Sequence, residues 1–187
     1  MITTRRWAAH LAVAAGVAAL TSGCGSSGSG DDDGGERSST SSTESSGSSV
    51  VESACGPIVE ERLDPTYLVH VVGAGEDVEY TTDPPTSGPH KAGPPVEGVV
   101  DEPLSRPVQV GILERGDVLV QHTPALTPEE QADLATLAGP GVVIAPNADL
   151  PAPVVATAWT YKRTCDAVDL DALQGFIDER RGKGPDD

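Results

Sequence analysis

The chain has 187 residues, with 12 Lys and Arg against 29 Asp and Glu, a formal net charge of −17 and three cysteines. This length fits one modest domain with accessory segments rather than two domains. Such acidity excludes nucleic acid as a partner, because holding phosphates requires a basic surface.

The chain opens MITTRRWAAHLAVAAGVAALTSGC, with a basic start at Arg5 and Arg6, an apolar run over residues 7–20, and small residues before Cys24. This is the three-part layout of a bacterial secretory signal. The apolar run, about 14 residues, is short for a membrane span of roughly 20. Thr21-Ser22-Gly23-Cys24 resembles a lipobox, with Thr21 where leucine is usual. In a lipobox the cysteine becomes the lipidated, palmitate-bearing first residue of the mature protein. Residues 1–24 therefore read as a lipoprotein signal peptide, and loss of Arg5 and Arg6 takes the charge from −17 to −19. Two or more acyl chains on Cys24 suffice for stable anchoring. The expected location is extracytoplasmic, on the outer face of the bacterial cell membrane, with the membrane as partner through the lipid.

Residues 25–54 are mostly Ser, Gly, Thr, Asp and Glu. Such a segment buries too little apolar surface to order itself and reads as a disordered tether with a reach on the order of 30 Å. With Cys24 lipidated, Cys55 and Cys165 remain, near the two ends of the globular part, residues 55–187. An oxidising compartment permits a disulfide between them. Closing a loop of about 110 residues stabilises by roughly 4–5 kcal/mol in the chain-entropy account.

Within the globular part, residues 67–72 (YLVHVV) read as a strand and residues 83–103, with six prolines, as a long loop. Residues 108–113 and 118–122 are apolar runs on either side of Glu114-Arg115-Gly116-Asp117, the pattern of a β-hairpin. Thr127-Pro128-Glu129-Glu130 is a capping box that starts a helix running to about residue 138. Residues 141–145 and 154–161 read as further strands, with Trp159 a large core anchor. A last helix presents Leu170, Leu173, Phe176 and Ile177 on one face, carries Arg180 and Arg181 in its final turn, and stops at Gly182. The order predicts a small α+β domain, a mostly antiparallel sheet with two helices and a long Pro/Gly-rich loop.

Several stretches occur together in order: PPTSGPH (84–90), ILERG and VLVQH (112–122), VVIAP (142–146), ATAW (156–159) and FIDERRGKGP (176–185). They resemble the family catalogued as domain of unknown function 3105, over roughly residues 64–185. The resemblance implies a domain that follows a signal or membrane anchor. Members of that family carry a histidine-rich hairpin, V-H-x-L-E-H-G. Here Gly111 and Arg115 stand at its two histidine positions, Glu114 matches its glutamate, and His122 replaces a tyrosine of the next strand. His70 and His90 correspond to histidines common in the family.

The leading expectation is a non-enzymatic binding or interaction module for an envelope protein or small ligand, with the Pro/Gly loop and the hairpin as contact surface. No catalytic residue and no cofactor is assigned in that reading. Ser87, three residues before His90, sits in a proline turn rather than on a nucleophile elbow. The alternative is a metal-binding or metal-dependent protein using His70, His90, Glu114 and His122, whose imidazoles and carboxylate suit zinc or copper. Arg115, beside Glu114, would bring a cation close to such an ion. Lys162 and Arg163 form a small basic spot on an otherwise acidic chain.

Overall fold

Three apolar runs, VLV, VVIA and VVATA, form the centre of the sheet because each is buried on both faces. The computed structural model describes residues 52–73 and 78–185, which belong to one unit spanning Ser48–Asp187. The signal segment, Cys24 and nearly all of the tether lie outside the described residues. Among the described residues no helix is long and apolar enough to cross a membrane.

In chain order the elements are β1 (Val59–Glu60), β2 (Gly98–Val99), α1 (Arg106–Glu114), β3 (Val118–His122) and α2 (Pro128–Ala135). They are followed by β4 (Val142–Pro146), β5 (Val154–Ala158), β6 (Tyr161–Cys165) and α3 (Leu170–Arg180). The fold is α+β, with a mixed six-stranded sheet in the order β1-β6-β5-β3-β4-β2. β1, β6, β5 and β3 pair antiparallel, whereas β3, β4 and β2 pair parallel. Val118, Val120, Val142, Ile144, Val154 and Ala156 face a core closed by Leu134 of α2 and by Leu173, Phe176 and Ile177 of α3. Leu119, Val143 and Ala145 face the other way, into a second core closed by Val110, Ile112 and Leu113 of α1 and by Trp159.

The hairpin expected over residues 108–122 is a helix followed by a strand. Ser105 stands at the N-cap of α1 with Pro107 in its first turn, and Pro107, Gln109, Val110, Gly111, Ile112 and Leu113 are all buried. A helix buried nearly all round loses its polar face, so its apolar run reads like a strand. Three helices therefore stand where two were expected. The strand expected over residues 67–72 is a turn. Asp64 Oδ1 accepts from the Thr66 N–H at 2.8 Å, and the Tyr67 and Val69 N–H groups donate back to the Asp64 and Thr66 carbonyls. Only a parallel bridge between His70 and His90 remains, and Val72 is 92% exposed. Residues 154–161 form two strands rather than one, because the chain reverses at Trp159-Thr160 with Thr160 at φ 58°. No glycine or asparagine marks that reversal.

The capping box of α2 forms as expected: Thr127 Oγ1 accepts from the Glu130 N–H, and Glu130 Oε2 accepts from the Thr127 N–H at 2.8 Å. Cys55 and Cys165 form the expected disulfide across an antiparallel bridge. That bond indicates an oxidising, extracytoplasmic environment. Ser53 and Ala54, expected in the tether, already belong to the domain, since both donate to Asp169 Oδ2, at 2.7 and 3.1 Å.

Asp169 is also the N-cap of α3, its Oδ1 accepting from the Ala172 N–H at 3.0 Å. The hydrogen bonds from Ser53 and then Ala172 hold its carboxyl below the ordinary 3.8. A folded-state pKa below the unfolded one means that the stabilisation is complete above the unfolded value and is lost as pH falls through the folded one. Asp169→Ala is therefore expected to cost about 1 kcal/mol in urea unfolding at neutral pH. The gap from the parent protein should shrink as the pH drops below 3.8. A constant gap down to pH 2 would contradict this assignment.

Candidate metal centre

The sequence PPTSGPH is not an open surface loop; residues 84–90 are all buried. Ser87 Oγ accepts from the Asp64 N–H at 2.9 Å, so its hydroxyl serves the turn at Asp64. The Thr86 carbonyl accepts from the Thr160 N–H at 3.0 Å, joining the loop to the Trp159-Thr160 reversal. Gly88 has φ 125°, and a Cβ there would meet the Tyr80 ring at 3.1 Å. The Tyr80 hydroxyl donates to the Pro89 carbonyl at 2.7 Å. Burial of this phenol, opposed by the charge of Arg106 and helped by Asp64, pushes its pKa to about 12. The expected contact surface is therefore interior structure over these seven residues.

His90 stands at the end of this buried stretch. Its N–H donates to the Val69 carbonyl at 3.0 Å, and its carbonyl accepts from the Val71 N–H at 2.7 Å. These two bonds bring His70 alongside, with the imidazole centroids 4.6 Å apart in an edge-to-face arrangement. The next residue, Lys91, donates its N–H to the Pro107 carbonyl, which fixes the loop against α1. Glu114, at the end of α1, then reaches His90, with Oε2 3.0 Å from Nε2.

The ligand atoms of His70, His90 and Glu114 all lie within 4.8 Å of one another. The His90 side chain is 1% exposed and that of Glu114 37%, while His70 is exposed. The contact between Glu114 and His90 is close but poorly aligned, so the buried Nε2 has no hydrogen bond of good geometry. Nδ1 lies 3.4 Å from the Gly88 carbonyl. With the proton on Nδ1, directed at that carbonyl, the Nε2 lone pair faces a carboxylate oxygen. Such an arrangement is unfavourable until a cation lies between them. Histidines that bind metals usually donate their other ring N–H to a carbonyl or carboxylate, which matches this tautomer.

His122 does not join the three. Val118 and Val120 face the core under α2 and α3, and the two-residue period of a strand turns His122 to that same face, away from α1. Its Nδ1 lies 3.1 Å from the Thr123 carbonyl. Arg115 is also directed elsewhere, to Asp117 Oδ2 at 3.2 Å and to the Gly111 carbonyl at 2.7 Å. The cation that the sequence sets beside Glu114 is thus committed to other partners. Lys162 and Arg163 are likewise engaged, with Glu61 and the Asp83 carbonyl, and with the Gly56 and Ala172 carbonyls.

The profile of the family described as protein of unknown function (DUF3105) matches residues 71–187. The chain belongs to this family. No curated protein and no solved structure matches it. His90 and Glu114 lie within the family span, and His70 stands one residue before it. PPTSGPH and the residue that directly follows ATAW, Thr160, meet in space through the hydrogen bond from the Thr160 N–H to the Thr86 carbonyl.

Gly111, at a histidine position of the family pattern, has its own packing constraint: a Cβ there would lie 2.8 Å from the Lys91 carbonyl oxygen. Backbone can yield only by moving the residue next to His90. Gly111→Ala is expected to cost a net of about 1–2 kcal/mol in urea unfolding, overpacking outweighing the gain in helix propensity. An unchanged or raised midpoint would show that Lys91 moves aside freely.

Proposed function

We propose that this chain is a lipid-anchored protein of the outer face of the bacterial cell membrane, and that its domain is a non-enzymatic module binding a transition-metal ion. His70, His90 and Glu114 are the ligands, and zinc or copper the matching ions, since two imidazoles and a carboxylate form a borderline donor set. The observation that carries the reading is the buried His90 Nε2, which has a carboxylate oxygen at 3.0 Å and no aligned hydrogen bond. Buried polar atoms are rarely left so, and an ion is one of the few groups that would account for this one. Tetrahedral bonds of 2.0–2.2 Å set donors roughly 3.3–3.6 Å apart. The spread of up to 4.8 Å therefore closes with a shift of about an ångström. The backbone of His70 is held in its bridge to His90, but its exposed side chain can make that shift by rotation. Three protein ligands leave a fourth position open to water or to an external ligand.

This reading is favoured over a contact surface built from the loop and the hairpin, since residues 84–90 are buried and residues 106–114 form a helix. The lipid anchor rests on Arg5, Arg6, the apolar run and Cys24, and agrees with the Cys55–Cys165 disulfide.

Purified protein, freed of its tag and stripped with chelator, is expected to take up close to one zinc or copper ion per chain. Its melting temperature should rise by several degrees at an ion concentration about a hundredfold above Kd. His90→Ala and Glu114→Gln should abolish uptake, while the parent and Glu114→Gln proteins melt together in chelator. Neither uptake nor a shift would reject the metal site. A separate measurement addresses the anchor: Cys24→Ser should leave the protein outside the membrane fraction or as an unprocessed precursor. Unchanged mass and attachment would rule lipidation out.

A further inference from the structure

On an acidic chain of net charge −17, three cations fall within four residues just after the last buried turn of α3: Arg180, Arg181 and Lys183. They border a cavity of about 760 Å³ whose other wall is the β5–β6 reversal with Trp159 and Tyr161, and Glu60 is the one acidic residue among the described residues that line it. The metal centre uses none of these side chains.

The backbone that carries the cations is held in place. Gly182, at φ 81°, ends the helix and donates its N–H to the Gly116 carbonyl at 2.7 Å. A Cβ on Gly116 would meet the Gly182 carbonyl carbon at 3.0 Å, and one on Gly184 would meet the Glu114 carbonyl oxygen at 2.8 Å. Glycine on both sides thus lets residues 182–184 lie directly on the turn between α1 and β3. Arg180 is fixed as well, its guanidinium 3.4 Å from the Tyr161 ring centroid and 2.7 Å from Glu179. Arg180 Nε has no acceptor among the described residues. Arg181 lays its stem against Gly141 and makes a long 3.4 Å contact to the Pro140 carbonyl, and no ion pair of Arg181 or Lys183 is found among the described residues.

We infer that this cavity binds a phosphate monoester carrying a ring or other apolar group. Its dianionic head would meet Arg181 and Lys183, with Arg180 as a fixed third charge, and its apolar part would lie against Trp159 and Tyr161. Arginine suits this task because its planar fork matches phosphate oxygens and its face stacks on aromatic rings. Two cations with few protein partners, displayed on a rigid backbone beside an aromatic wall, lose little conformational freedom when an anion arrives.

The test uses the full chain and isothermal titration with phenyl phosphate at low ionic strength. A second arm uses dihexanoyl phosphatidylglycerol, a short-chain phosphodiester below its micelle concentration. Saturable binding of phenyl phosphate is expected, at least tenfold weaker in Arg181→Ala/Lys183→Ala and weaker in high salt. Melting of that variant should match the parent, because both side chains are exposed. Preference for phenyl phosphate supports the monoester assignment; preference for the phosphodiester, a lipid headgroup bound through the same cations, overturns it. Failure of both probes, or binding indifferent to the double substitution, overturns the proposal. Zinc or copper uptake should be unchanged in the variant, so this site and the metal centre fail or stand separately.

Discussion

Burial of β3 on both faces is the constraint from which the remaining geometry follows. All five of its residues are buried, so the sheet needs a covering layer on each side. α2 and α3 supply one layer and α1 the other. α1 is only nine residues long and cannot cover its side alone. The buried stretch 84–90, with Tyr80 and Trp159, completes the layer, and so a segment dense in proline becomes interior structure. A loop placed there must satisfy its own polar groups. It does so through Ser87 with Asp64, Thr86 with Thr160, and Pro89 with Tyr80. Thr86 Oγ1 and His90 Nε2 are the exceptions within this set, and Nε2 is the atom left facing Glu114.

The same layer accounts for the departures from the family pattern. Gly111 allows the Lys91 carbonyl to approach α1 closely, and the Lys91 N–H bonds to Pro107 in the first turn of that helix. Arg115 donates to the carbonyl of Gly111, one turn earlier, and so satisfies a group at the helix C-terminus. Glycine and arginine at these positions tighten the contact between helix and loop. They leave His90 and Glu114 in place, and His70 joins them through its bridge to His90, one residue before the matched span.

Much of the architecture was legible because it depends on short-range signals. The capping box at Thr127, the apolar face of α3, the stop at Gly182 and the pairing of Cys55 with Cys165 each follow from local chemistry or from counting. α1 was not legible, since a helix buried on most sides carries no polar face to show its period. The β5–β6 reversal was hidden because Thr160 adopts a positive φ that usually marks glycine or asparagine. Residues 67–72 have the composition of a strand, but Asp64-Pro65-Thr66 commits the start of that stretch to a turn. Three of the four candidate ligands meet although 20 and 24 positions separate them, a proximity created by the loop–helix contact and by no sequence spacing. His122 was misleading for a related reason, because strand period sends it to the opposite face.

The short connection from α1 to β3 links the two proposed sites without making one the switch of the other. Glu114 directs its carboxylate to His90, and its carbonyl oxygen lies where a Cβ on Gly184 would approach to 2.8 Å. Gly116 accepts from Gly182 two residues further on. Contacts between backbone atoms with no spare volume resist displacement and admit one arrangement, whereas coupling between sites requires an element with two. The segment 182–184 therefore acts as a brace. It fixes the end of α1, and with it the direction of the Glu114 side chain, whether or not the cation-lined cavity holds an anion.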